Sequence, residues 1–123
     1  DKGFYIMPTV FTGVTQNMKI AREEIFGPVA CFLKFSSRDD VIGLANDTNY
    51  GLAAGIWSRD IPRAIRMANE IQAGTIWING DIIGSPEYPW GGYKESGFGK
   101  ELSISGLEEF TQRKAIAFDL GNK

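Results

Sequence analysis

Three apolar runs of strand length, at residues 29–35, 52–57 and 75–78, alternate with two stretches of helical spacing. This alternation constrains the fold more than any other feature of the chain. The first run, Val-Ala-Cys-Phe-Leu-Lys-Phe, is too unbroken for a half-exposed hairpin and suits a buried strand. After it, Ser37 with Asp40 three residues on forms an acidic variant of the capping box. Val41, Leu44, Ala45 and Thr48 then share one helical face. After the second run, Asp60 reads as an N-cap with Pro62 in the first turn. Ile61, Ala64, Ile65, Ala68 and Ile71 keep helical spacing as far as Gly74. Strand-helix-strand-helix-strand predicts an α/β fold whose sheet is mainly parallel, with right-handed crossovers. Extended structure is expected around Phe4–Phe11, a helix over residues 101–110 and a last strand over Ala115–Leu120. Trp57 and Trp77 stand at strand ends and read as core, while Glu108 and Glu109 read as a solvated helix face.

A chain of 123 residues holds one core and has no room for a second domain of ordinary size. Its net charge of -2 carries no nucleic-acid footprint. No run approaches the length of a membrane-spanning helix, and no leader opens the chain. The start at Asp1-Lys2-Gly3, without Met, suits a fragment or cleavage product. Without histidine, no His-based triad or His-ligated zinc site can form from this chain. The lone Cys31 excludes an internal disulfide and fits a reducing, cytoplasmic setting. It sits in an apolar run without a cationic neighbour, so it reads as a buried, inert thiol rather than a nucleophile. Seven of the 15 glycines lie between Gly80 and Gly106, which marks a long, tightly turning segment. Gly92 to Gly97 has phosphate-loop spacing, but Phe98 stands where the lysine should follow.

Two motifs carry the functional information. Glu23-Glu24-Ile25-Phe26-Gly27-Pro28-Val29 sets a carboxylate and an aromatic ring two residues apart before a Gly-Pro turn. A carboxylate can accept two hydrogen bonds from a ribose diol, and a nearby ring can face a nicotinamide. The second motif is Pro89-Trp90-Gly91-Gly92-Tyr93-Lys94-Glu95-Ser96-Gly97. Together they resemble the NAD(P)-dependent aldehyde dehydrogenase family, which carries EEIFGPV and GGxKxSG in this order. The likeness runs from Gly3 to the end of the chain. It implies a three-layer sheet, with residues 1–113 forming the C-terminal part of the catalytic domain. Residues 114–123 would be an oligomerisation strand and tail. It further implies that Glu24 binds the nicotinamide ribose and that Phe26 contacts the nicotinamide side of NAD or NADP. The nucleophilic cysteine and general-base glutamate of the family belong upstream of these residues, so this chain alone is expected to be inactive.

Within the family, the second motif is most similar to the branch that oxidises betaine aldehyde. There the carbonyls at the positions of Lys94 and Gly97 help hold a potassium ion, and a glutamate at the position of Glu101 is half of a charge relay. The tryptophan at the position of Trp90 is one wall of an aromatic box for a trimethylammonium group, to which Tyr88 could add a rim. An aromatic face suits a cation that has no hydrogen-bond donor. Each residue also has a structural alternative: a tight turn for Lys94–Gly97, packing for Trp90, a helix start for Glu101. The expected function is oxidation of a small aldehyde by a homo-oligomer, dimer or tetramer, with betaine aldehyde favoured. Other aldehydes, including aminoaldehydes and semialdehydes, or a non-catalytic oligomerisation module, are the alternatives.

Overall fold

The computed structural model describes residues 2–80 and 84–121. It contains two parallel strand-helix-strand units, of which the sequence predicts only the second. In the first, β1 (Thr9–Phe11) leads through a short helix, α1 (Lys19–Arg22), to β2 (Val29–Cys31). The two strands pair in parallel, Thr9 against Val29 and Phe11 against Cys31. The next helix, α2 (Arg38–Asn46), begins at Ser37 with both halves of the capping box made: Ser37 Oγ accepts from Asp40 N–H and the Asp40 carboxylate accepts from Ser37 N–H.

The second unit is better formed. A short β3 (Tyr50–Gly51) is followed by β4 (Ala53–Ile56), α3 (Ile61–Glu70) and β5 (Thr75–Ile78). β4 and β5 pair in parallel from Ala53–Thr75 to Ile56–Ile78. Asp60 caps α3 by accepting from Arg63 N–H, with Pro62 in the first turn, where a missing N–H costs nothing. The glycine-rich segment contributes β6 (Tyr93–Lys94), antiparallel to β3, and α4 (Ser103–Glu108) is the last described helix.

Several expectations are corrected. Among the described residues the strands form three two-stranded sheets rather than one continuous sheet. The run 52–57 forms its strand over Ala53–Ile56, and a separate short strand, Tyr50–Gly51, precedes it with an antiparallel partner. The run 29–35 is a strand only as far as Cys31, and Phe32 and Phe35 are exposed. The helix expected over 101–110 is limited to Ser103–Glu108. Residues 115–120, expected to pair outside their own subunit, meet no described strand of this chain, and Ile116, Phe118 and Leu120 lie open to solvent. Trp57 is 70% exposed and is not core. One cause covers these differences: a strand is buried, or a ladder made, only when another layer or strand covers it. This chain buries only Val14, Ile56, Ala64 and Ala73 among its described apolar residues. Its accessible surface is 10539 Å², against about 6,600 Å² for a compact monomer of this mass.

Where the chain does close on itself, backbone meets backbone. A Cβ on Gly74 would overlap the Gly91 carbonyl oxygen, and one on Gly91 would lie 2.6 Å from the Gly99 carbonyl oxygen. Glycine is therefore required to let the 91–99 segment lie on the start of β5. In the full-length protein, Gly74→Ala is expected to lower stability by about 1–3 kcal/mol or more, since backbone must move. Gly43→Ala, with nothing within 4 Å of the new methyl, is expected to raise it by about 0.5–1 kcal/mol. Urea midpoints of the two variants check both signs.

Candidate functional site

The first motif leaves α1 in an extended conformation. Glu23 closes the helix by donating its N–H to Lys19 O at 3.0 Å, with φ -105 and ψ 144. Of the two adjacent glutamates, Glu23 is ion-paired with Lys19 at 3.5 Å. The Glu24 carboxylate has no hydrogen bond or ion pair among the described residues, so its acceptor capacity is open to a ligand. Glu24 lies at the lip of a cleft of about 400 Å³, with Thr48, Tyr50, Gly51 and Ala54 among the residues lining it. Phe26 is 89% exposed and holds φ at +51. A bulky residue rarely adopts that left-handed conformation, so the ring is turned outward at a conformational cost.

A polar latch joins the two walls of this cleft. Arg22 grips Asp47, just past the end of α2, through two N–H···O contacts of 3.1 and 3.2 Å. Gln16 Nε2 donates to the carbonyl oxygens of Asp47 at 2.5 Å and Leu44 at 3.3 Å. The hydrogen bond from the Arg22 guanidinium is the main reason the Asp47 carboxyl is held below its ordinary pKa, and it outweighs the opposing desolvation.

Trp90 and Tyr88 are brought together. Both line a second cavity, of about 290 Å³, with Thr75, Trp77, Pro89 and Leu102. The Trp90 ring lies 6.0 Å from that of Trp77 at 37°, so one face is already engaged in an aromatic pair. Trp77 thus belongs with this cavity, although the sequence reading placed it in the core. Tyr88 is 60% exposed. Trp90 and Glu101 exchange backbone hydrogen bonds of 2.8 and 2.7 Å, which sets Glu101 behind the tryptophan with its side chain exposed. Glu24 lines a different cavity from Trp90 and Tyr88, and Phe26 stands exposed beside it in sequence.

Lys94 and Gly97 bound one tight turn. Gly97 N–H donates to Lys94 O at a long 3.4 Å, and both residues have positive φ, +53 and +120. The carbonyl keeps a lone pair beyond that weak bond. The sequence reading missed what the lysine side chain does. Lys94 Nζ donates at 2.7 Å to the carbonyl of Asn46, the last residue of α2, and at 3.0 Å to Thr48 O in the turn beyond it. It also missed Lys100, whose Nζ holds Gly91 O at 3.0 Å and Gly92 O at 3.1 Å while lying 5.4 Å from the Tyr93 ring centroid. Both contacts span distances along the chain that local pattern does not encode. Glu108 and Glu109 are engaged rather than merely solvated: Glu108 pairs with Arg113 at 2.7 Å and Glu109 accepts from Lys100 N–H at 3.3 Å. The Cys31 thiol is half-buried, 3.5 Å from Ile20 O. Among the described residues, no three of Cys, Asp and Glu gather as a metal site, and no helix is long and apolar enough to cross a membrane.

A profile of the aldehyde dehydrogenase family matches residues 1–116. A betaine aldehyde dehydrogenase of Mesorhizobium japonicum is 54% identical over 122 residues, 99% of this chain and 25% of that protein. Aldehyde dehydrogenase 1A1 of Rattus norvegicus is 50% identical over 123 residues, again 25% of its length. The crystal structure of a Mycobacterium tuberculosis aldehyde dehydrogenase complexed with NAD+ superposes with a TM-score of 0.90 at 44% identity, covering 98% of this chain and 25% of that one. The chain thus spans about a quarter of the length of the curated relatives it matches.

The latch gives a prediction with a defined sign. A carboxyl whose folded pKa is depressed stabilises the fold above its unfolded value and loses that contribution as pH falls through the folded one. The Tm difference between the parent and Asp47→Asn should therefore be flat between about pH 5 and 8. It should shrink only as pH is taken below the ordinary value of 3.8, which thermal melts across that range will show.

Proposed function

Because the chain belongs to the aldehyde dehydrogenase family, we propose that it supplies the nicotinamide-ribose anchor and part of the substrate mouth of an NAD+-dependent enzyme oxidising an aldehyde to a carboxylate. One observation carries this reading. Within an intact EEIFGPV motif, Glu24 stands unpaired at a cleft lip while its neighbour Glu23 is taken by Lys19. When bound, NAD+ supplies the hydride acceptor. The residues here bind and orient: the Glu24 carboxylate accepts from the two ribose hydroxyls, and the exposed Phe26 ring bounds the space beside the nicotinamide. Both residues fit a cofactor arriving from solvent, since neither is committed to packing within the chain.

Betaine aldehyde is the favoured substrate, and the Trp90–Tyr88 cavity supports it. Its wall is aromatic, and a trimethylammonium group offers a box nothing but charge and shape. The similarity to the Mesorhizobium japonicum betaine aldehyde dehydrogenase supports the same reading. In the same reading, the carbonyls of Lys94 and Gly97 contribute two ligands to a potassium ion, and Glu101 is half of a proton relay. Residues 114–123 are an oligomerisation strand and tail whose strand, 115–120, pairs with a second subunit of a dimer or tetramer, in line with the exposed Ile116, Phe118 and Leu120. A single cysteine accords with a cytoplasmic enzyme.

In the full-length enzyme, Glu24→Gln is expected to slow single-turnover hydride transfer by about tenfold or more, through lost orientation of the reacting ring. NAD+ binding should change less, because most cofactor contacts lie elsewhere. An unchanged hydride-transfer rate would refute the anchor role. Trp90→Ala should lower kcat/KM for betaine aldehyde by about tenfold, and for a neutral aldehyde of similar size by less. Equal losses on one preparation would leave Trp90 as packing against Trp77 and return the substrate to the other small aldehydes.

A further inference from the structure

The Glu24 side chain has no support of its own. It follows a helix of four residues, too short to be stable by itself, and the chain between them is extended. What fixes the end of α1 in space is the bidentate grip of Arg22 on Asp47, two residues before Glu24. Arg22 also donates to Gln16 O at 3.3 Å, and Gln16 in turn donates to the Leu44 and Asp47 carbonyls. One guanidinium therefore locks the segment 16–22 onto the end of α2 from both sides. Arg22, Glu23 and Glu24 form one wall of the cleft, and Thr48 and Tyr50, just beyond Asp47, stand on the other.

We propose that Arg22 and Asp47 are positioning residues for hydride transfer, a latch across the cleft that holds Glu24 at the distance its ribose contact needs. The inference rests on the reading of Glu24 as ribose anchor. The pair is about half exposed on each side, so its contribution to global stability is small. Its contribution to geometry is larger, because a parallel two-bond contact fixes direction as well as distance. A lysine at position 22 would keep the charge and lose the fork. Neither partner of the latch is assigned a contact with cofactor or substrate, so the effect must pass through Glu24.

The test uses the full-length enzyme with NAD+ and betaine aldehyde. Arg22→Met is expected to slow single-turnover hydride transfer about three- to tenfold, with Tm and the NAD+ dissociation constant close to those of the parent. Arg22→Lys should fall between the two. The decisive arm is the double variant Arg22→Met/Glu24→Gln, which should be no slower than Glu24→Gln alone, because the latch acts through that carboxylate. Should Arg22→Met melt early, Arg22→Lys takes its place in the cycle. An unchanged rate in Arg22→Met beside a slowed Glu24→Gln overturns the latch and leaves the ribose anchor standing. Additive losses in the double variant also overturn it, since Arg22 would then act independently. A Glu24→Gln enzyme with the parent's rate removes the anchor itself, and the latch with it.

Discussion

The turn that ends α2 is the joint on which the rest of the structure depends. Asn46 accepts Gln72 N–H at 2.8 Å and donates to Glu70 O at 2.9 Å, which ties α2 to the end of α3. Its own carbonyl, with that of Thr48, accepts the Lys94 ammonium and brings in the second motif. Asp47 takes Arg22 and brings in the first. Glu95 N–H donates to Asn49 O at 2.9 Å on the same turn. A helix end leaves its last carbonyls without intrahelical partners. Here Gln16 and Lys94 take the Leu44 and Asn46 carbonyls, and the turn beyond them holds the 16–22 and 94–95 segments.

That arrangement suits a chain with so little core. With four apolar residues buried among those described, packing alone does not fix how the segments sit. Directional polar contacts and close backbone approaches take over that task. Most of these ties are half exposed and individually weak, so they define geometry more than they add stability. The same exposure has a functional side. Glu24, Phe26 and Tyr88 are available to ligands because nothing within the chain covers them, whereas Trp90 keeps one face engaged by Trp77.

Strain marks the same places. Phe26 and Lys94 both hold φ near +50 without being glycine, and each lies inside one of the two motifs. At Phe26 the left-handed turn directs a ring into solvent, and at Lys94 it aims a carbonyl along the turn while the side chain reaches α2. Backbone forced into a sparsely populated region persists only where its surroundings hold it, and the polar ties of the α2 turn provide that hold at Lys94.

The sequence by itself determined the local elements and the motifs. The Ser37–Asp40 box, the Asp60 cap and the apolar faces of α2 and α3 are written in residues three and four apart, and β4-α3-β5 formed as the spacing predicted. Glu24 with Phe26 and Trp90 with Tyr88 were legible for the same reason, since each pair lies within a few residues. Tertiary structure alone decided that Trp77 stands beside Trp90, and that Lys94 and Arg22 converge on one helix end. Those contacts join residues 13 to 48 positions apart, and no local periodicity records a partner that only folding brings near. The same limit explains the strands over 29–35 and 115–120. Apolar pattern shows that a segment seeks cover, but only a neighbouring strand or layer can provide it.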